Sequence, residues 1–196
     1  MKITLKKVLY CGFALLITLC FFLTLAMPMT LTVGSATYSG TFLSVINEGR
    51  GLDELFRSDV LCTALLSGSA TTLSEMNAAV DVLRTTYSII GTIGLVMVIV
   101  LLVVTIGAFF IPKMKGARGL TIPFFAIAII YFLVLAIFGV VLGQVTVGYA
   151  GEASGASASY AGILLYVVAI VLFLAMLIVP GVVHEKVLVG KKEEQK

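Results

Sequence analysis

The sequence has no tryptophan, one histidine, three cysteines and four prolines in 196 residues. Charge is the scarcest commodity: 12% of residues are Asp, Glu, Lys or Arg, against roughly 25% in a soluble domain. One histidine and three scattered cysteines exclude the usual metal-ligand spacings. Cys11 and Cys20 share one apolar run and would stand about 13 Å apart along a helix, too far to bridge. Cys62 is alone in a polar segment and reads as a small packed residue. No Asn-x-Ser/Thr acceptor occurs, because Asn47 precedes Glu-Gly and Asn77 precedes Ala-Ala. No cofactor, metal or nucleic-acid partner is expected from such a composition.

What the chain does have is oil, with 60% hydrophobic residues and a mean hydropathy of +1.16. Four runs carry no Asp, Glu, Lys, Arg or His: 8–27, 88–111, 120–143 and 161–183. About 20 helical residues cross a ~30 Å hydrocarbon core, and one central charge costs roughly 2.5–3.5 kcal/mol on insertion scales. The fold class is therefore a membrane protein, mainly α. The layout is a four-transmembrane-helix bundle (8–28, 88–111, 120–143, 161–183) with a small extracytoplasmic α+β cap. The run at 8–28 also has features of a cleaved signal peptide, with a small-residue site near 34–36. Its apolar core exceeds the usual 7–15 or so residues, and Pro28 disfavours cleavage after Met27, so a retained helix is the reading adopted.

All nine lysines fall on one side of this four-pass layout. Lys2, Lys6 and Lys7 precede the first span. Lys113, Lys115 and Arg118 lie in the 112–119 connection, and Lys186, Lys191, Lys192 and Lys196 follow the last span. The positive-inside rule then puts residues 1–7, 112–119 and 184–196 in the cytoplasm of a plasma (cytoplasmic) membrane protein. Segments 29–87 and 144–160 face outward. Lys113, Lys115 and Arg118 are candidates for anionic headgroup contact or for enforcing topology.

The outer segment changes period along its length. Thr30–Val33 alternates, Gly34-Ser35-Ala36 breaks, and Tyr38, Phe42 and Ile46 resume in phase, which predicts a hairpin over 30–46. From Leu52 the apolar spacing becomes helical, predicting a helix over 52–66 with Asp53, Glu54 and Arg57 on its solvated face. Thr72-Leu-Ser-Glu75 is a capping box. The stripe after it predicts a helix over 73–87 that continues into the second span and projects beyond the bilayer. Tyr38, Phe42 and Arg57 are candidate cap residues for contact with other proteins. In the second outer segment, Val145–Tyr149 alternates and predicts a strand on the hairpin's edge, followed by a Gly/Ala/Ser-rich stretch.

Chemistry inside the spans would need a buried carboxylate, His, Lys or Arg, and these spans lack all four. Thr18, Thr24, Ser88, Thr92, Thr105 and Thr121 read as structural hydroxyls, and His184-Glu185 reads as a juxtamembrane anchor without a nucleophile. Two small-residue series carry helix packing as their expected role: Gly139 with Gly143, and Ser154, Ala158 and Gly162. Four spans with cytoplasmic ends, a long first outer loop with strands and a helix, and a shorter second loop resemble the claudin-type tetraspan arrangement. The likeness covers layout alone, since the claudin Gly-Leu-Trp and Cys-x-Cys motifs of the first loop are missing. The tetraspanin Cys-Cys-Gly motif is missing too.

The expected function is non-enzymatic: a membrane scaffold, accessory subunit or adhesion-like protein acting through its cap and helix faces. The alternative is a membrane subunit of a transporter or channel complex. Expected partners are the lipid bilayer, other membrane proteins and further copies of the chain itself.

Overall fold

Prolines lie at or near the C-terminal ends of three of the four long helices. In the computed structural model, which describes residues 3–33, 36–43, 73–150, 157–183 and 187–189, helix α1 spans Leu5–Ala26. Met27 turns extended at φ −68°, ψ 137°, because a residue before proline is pushed out of the helical region. Helix α2 runs Leu73–Phe110 and stops two residues before Pro112. Helix α3 runs Met114–Ala150, and α4 runs Gly162–Val182, ending within a turn of Pro180. Each contains a segment long and apolar enough to cross a membrane: Leu5–Ala26, Thr85–Phe110, Met114–Val140 and Gly162–Val182.

Helices adjacent in sequence pack side by side, and α1 closes the ring by packing on α4. The buried positions of α1 (Lys7, Tyr10, Ala14, Ile17, Phe21 and Leu25 among them) recur at three- and four-residue steps and face the interior. The covered stripe of α4 is narrower: Gly162, Tyr166, Ala169, Met176 and Pro180. Its remaining surface is Ile, Leu and Val, exposed as lipid contact requires. Across the centre, Phe21 of α1 and Phe132 of α3 stack with ring centroids 4.3 Å apart.

Polar groups inside the bundle are satisfied locally. Thr18 donates to Ala14 O at 2.9 Å and Thr24 to Cys20 O at 2.8 Å, and on the exposed side of α2 Thr92 does the same to Ser88 O at 2.8 Å. Such back-bonding removes the cost of a bare hydroxyl in hydrocarbon. Thr105 differs from these threonines, with a buried hydroxyl that has no partner among the described residues. Tyrosines join the helices by donating to neighbouring backbone: Tyr131 to Ile90 O, and Tyr166 to Ile129 O at 3.2 Å.

Two small sheets sit at opposite ends of the bundle. At one end β1 (Ile3–Thr4) pairs antiparallel with β5 (Val187–Val189). At the other, β2 (Met29–Val33) lies between β3 (Ala36–Gly40) and β4 (Ser157–Tyr160), antiparallel to both.

Several boundaries depart from the sequence reading. The strand expected at 145–149 does not form, and the 144–160 loop is correspondingly shorter, because α3 continues through Ala150. Extending an existing helix adds a hydrogen bond for each residue fixed, which outweighs the β-propensity of Val145 and Val147. The strand beside the hairpin is Ser157–Tyr160, from the small-residue stretch. Ala158 therefore lies on a strand and Gly162 opens a helix, so they do not share one helical face. The basic connection at 112–119 contracts to 111–113, with Lys115, Arg118 and Pro123 inside α3. Pro123, without an N–H, removes the helical bond to the Gly119 carbonyl there. The hairpin ladder ends at Gly40, short of residue 46. The helix expected at 52–66, Arg57 and Ser154 lie outside the described residues.

Candidate functional site at the sheet end of the bundle

The sheet is fastened to the helices through one tyrosine. Pro28 has no N–H, so the carbonyl of Thr24, four residues earlier, loses its helical donor. Tyr160, at the end of β4, supplies the replacement: its hydroxyl donates to Thr24 O at 2.8 Å. The ring lies between two glycines. A Cβ at Gly139 would stand 3.0 Å from Tyr160 Cδ1, and one at Gly162 would overlap the phenol itself. Burial pushes the Tyr160 hydroxyl above its ordinary pKa, so the group stays a neutral donor.

Phe42 completes the junction. The chain turns inward after β3, and the Phe42 ring packs edge-on to Tyr160 at 5.7 Å and stacks on Tyr87 at 5.4 Å. Tyr87 in turn meets Phe138 at 5.1 Å. Phe42 and Tyr87 are fully buried. The Phe42 carbonyl oxygen would stand 2.6 Å from a Cβ at Gly91, so the loop backbone needs glycine on α2 at that point. Phe42, expected as a cap surface for partners, is thus a core residue of the junction. An apolar ring at a loop that turns back onto the bundle loses more by staying in water than by packing on Tyr87.

The exposed face of the sheet is made of hydroxyls. In register across the strands, Ser39 faces Thr30 and Thr30 faces Ser159; Thr37 faces Thr32 and Thr32 faces Ser157. Two rows of three Ser/Thr residues result. Thr37, Ser39, Ser157 and Ser159 are exposed, and Thr30 and Thr32 half-buried. Thr30 Oγ1 and Ser159 Oγ are 2.6 Å apart, and Thr32 Oγ1 and Thr37 Oγ1 3.3 Å. Neighbouring strands stand about 4.8 Å apart and alternate residues about 6.7 Å apart, so the face is a regular grid of donors and acceptors. Tyr38 lies on β3 opposite Leu31, at a register position of the other face.

The small residues singled out in the sequence divide accordingly. Gly139 and Gly162 come together, around a tyrosine ring and not around another helix backbone. Gly143 lies further along α3. Lys113 and Lys115 are exposed at the opposite end of the bundle, while Arg118 is half-buried there, its guanidinium carbon 5.9 Å from the centroid of the Tyr10 ring. Sequence reasoning missed Tyr160, Tyr10 and Lys7. Only Tyr160 had a readable signal, in the carbonyl that Pro28 orphans.

Comparison with protein-family models, with curated proteins and with solved structures gives no match for this chain.

Proposed function

We propose that this is a non-enzymatic four-pass protein of the cytoplasmic membrane that docks other membrane proteins, or further copies of itself, on its outward-facing sheet. The observation that carries the reading is the hydroxyl grid of β2, β3 and β4, joined to the bundle by Tyr160 and Phe42. A polar face held in fixed register offers directional hydrogen bonds without an ordering cost at binding. Among the described residues β3 and β4 each have a single strand neighbour, leaving an edge that an extended partner segment can extend. Sidedness is supported by charge. Lys6, Lys7, Lys113, Lys115 and Arg118 all lie at the end opposite this sheet, which the positive-inside rule makes cytoplasmic. In this role the protein serves as a scaffold, accessory subunit or adhesion-like component.

A photo-crosslinking residue placed at Ser39 or Ser157 in intact cells tests this. Protein adducts from these positions, missing from a probe at Val171 on the exposed side of α4, are the expected result. An adduct pattern shared by all three positions, or none at all, would count against a sheet-directed partner. Substrate flux through the purified chain in liposomes would favour the transporter or channel reading.

A further inference from the structure

At the other end of the bundle two cations, Lys7 and Arg118, have no carboxylate beside them among the described residues. Lys7, in the first turn of α1, is 3% exposed, yet among the described residues its ammonium bonds only a backbone oxygen, Ile111 O at 2.6 Å, with the Phe109 ring 5.6 Å away. Arg118 leans on the Tyr10 ring, and its Nε is buried with no hydrogen-bond partner among the described residues. The two belong to one place. Lys7 and Tyr10 are one turn apart on α1, so they share a face, and Tyr10 bonds Thr121, one turn beyond Arg118 on α3. Among the described residues the only carboxylates are Glu75 and Asp81. Asp81 precedes Phe110 by about 44 Å of helix.

We infer that Arg118 and Lys7 form a binding site for a phosphate ester at the membrane surface. Taking charge out of water is costly unless an opposite charge compensates it. The Ile111 carbonyl at the C-terminal end of α2 offsets part of the Lys7 charge, whereas among the described residues Arg118 has the Tyr10 ring and no carboxylate. Arg118 is half-buried, and with its Nε covered the two Nη groups are the fork left to meet two phosphate oxygens. The ammonium of Lys7, with one of its three N–H groups on Ile111 O, has donors left for the same anion. Both residues lie in the first turns of membrane-length helices, the level at which phospholipid phosphates sit. Lys113 and Lys115, exposed beside the site, add attraction without defining it.

The test uses the full chain purified in neutral detergent. Native mass spectrometry follows retention of phosphatidylglycerol against phosphatidylcholine, and parallel thermal melts follow added inorganic phosphate. Wild type is expected to retain one phosphatidylglycerol with about tenfold preference, and Arg118→Gln to lose that preference. Arg118→Lys keeps the charge without the fork and is expected to lose most of it too, which keeps the test valid should Arg118→Gln fail to fold. The double change Lys113→Gln with Lys115→Gln should alter retention by less than about twofold, as expected for exposed charges. A gain from inorganic phosphate that Arg118→Gln removes would assign the site to soluble phosphate; selective lipid retention without it assigns the headgroup. Equal retention of the two lipids together with no phosphate effect overturns the inference. So does a loss in the Lys113/Lys115 variant equal to that in Arg118→Lys.

Discussion

The two ends of this bundle meet the same requirement, closing a helix end without stranding polar groups, by opposite means. At the sheet end the work falls to neutral aromatics. Tyr160 caps the carbonyl that Pro28 orphans, and Phe42, Tyr87 and Phe138 fill the space around it, seated against Gly91, Gly139 and Gly162. At the basic end long cations reach across. Lys7 bonds the Ile111 carbonyl, and Arg118 lies over Tyr10. The glycines near that end are looser: a Cβ at Gly12, Gly119 or Gly181 would meet nothing within 4 Å, although one at Gly116 would stand 3.0 Å from Ile111. Close packing of rings on glycines specifies one geometry. Long flexible cations tolerate several and keep donors available for a ligand.

Removing the ring at the centre of the sheet end should be the most damaging change. Phe42→Ala deletes a fully buried side chain and should cost about 3–5 kcal/mol, read by SDS unfolding followed with circular dichroism. A loss under about 1 kcal/mol would mean that the junction collapses to fill the space and is not tightly specified.

Glycine substitutions sharpen the contrast. Gly91→Ala sets a methyl against the Phe42 backbone, and overpacking of this kind costs about 1–3 kcal/mol. Gly12→Ala has open space and should gain up to about 1 kcal/mol from helix propensity. Were Gly12→Ala the worse of the two by the same unfolding assay, the distinction between tight and loose ends would be wrong.

Tyr160→Phe isolates a single hydrogen bond. It leaves the Thr24 carbonyl without its donor and should cost about 1–3 kcal/mol. Its signature is in the pH dependence. Burial raises the Tyr160 pKa in the folded state, so its contribution is complete below the unfolded value, about 10. Above that pH the unfolded chain loses the proton first, and stability falls until the folded group also ionises. The wild type should therefore lose stability more steeply than Tyr160→Phe as pH rises past about 10. Parallel alkaline curves would remove the buried neutral phenol from the account. The smallest effect belongs to the exposed grid: Thr32→Val should stay within about 0.5 kcal/mol of wild type, whatever it does to partner crosslinking.

The same contrast explains what was readable in the sequence. The four spans were legible because hydrocarbon excludes charge, and 24 consecutive residues without one, as at 88–111, leave little else. The first two strands were legible because Thr30–Val33 alternates and Gly34-Ser35 breaks it. The third was not: Ser-Ala-Ser-Tyr has weak β-propensity, and β2 together with the Tyr160 anchor makes it a strand. Val145–Tyr149 failed in the other direction, since strand-like local composition lost to a helix already under way. Gly139 and Gly143 were legible as a notch, but four-residue spacing does not say whether a helix backbone or a tyrosine ring fills it. Lys7 looked like a topology charge at a span edge, and only its place beneath the end of α2 reveals the bond to Ile111.

If the hydroxyl-faced sheet and the bundle behave as one rigid unit, amide hydrogen exchange of the full chain in lipid nanodiscs will show it. Strand β2, paired on both sides, should exchange as slowly as the last turns of α1 in wild type and lose that protection in Phe42→Ala while the centre of α3 stays protected. Rapid exchange across Met29–Val33 in the wild-type protein would contradict the account.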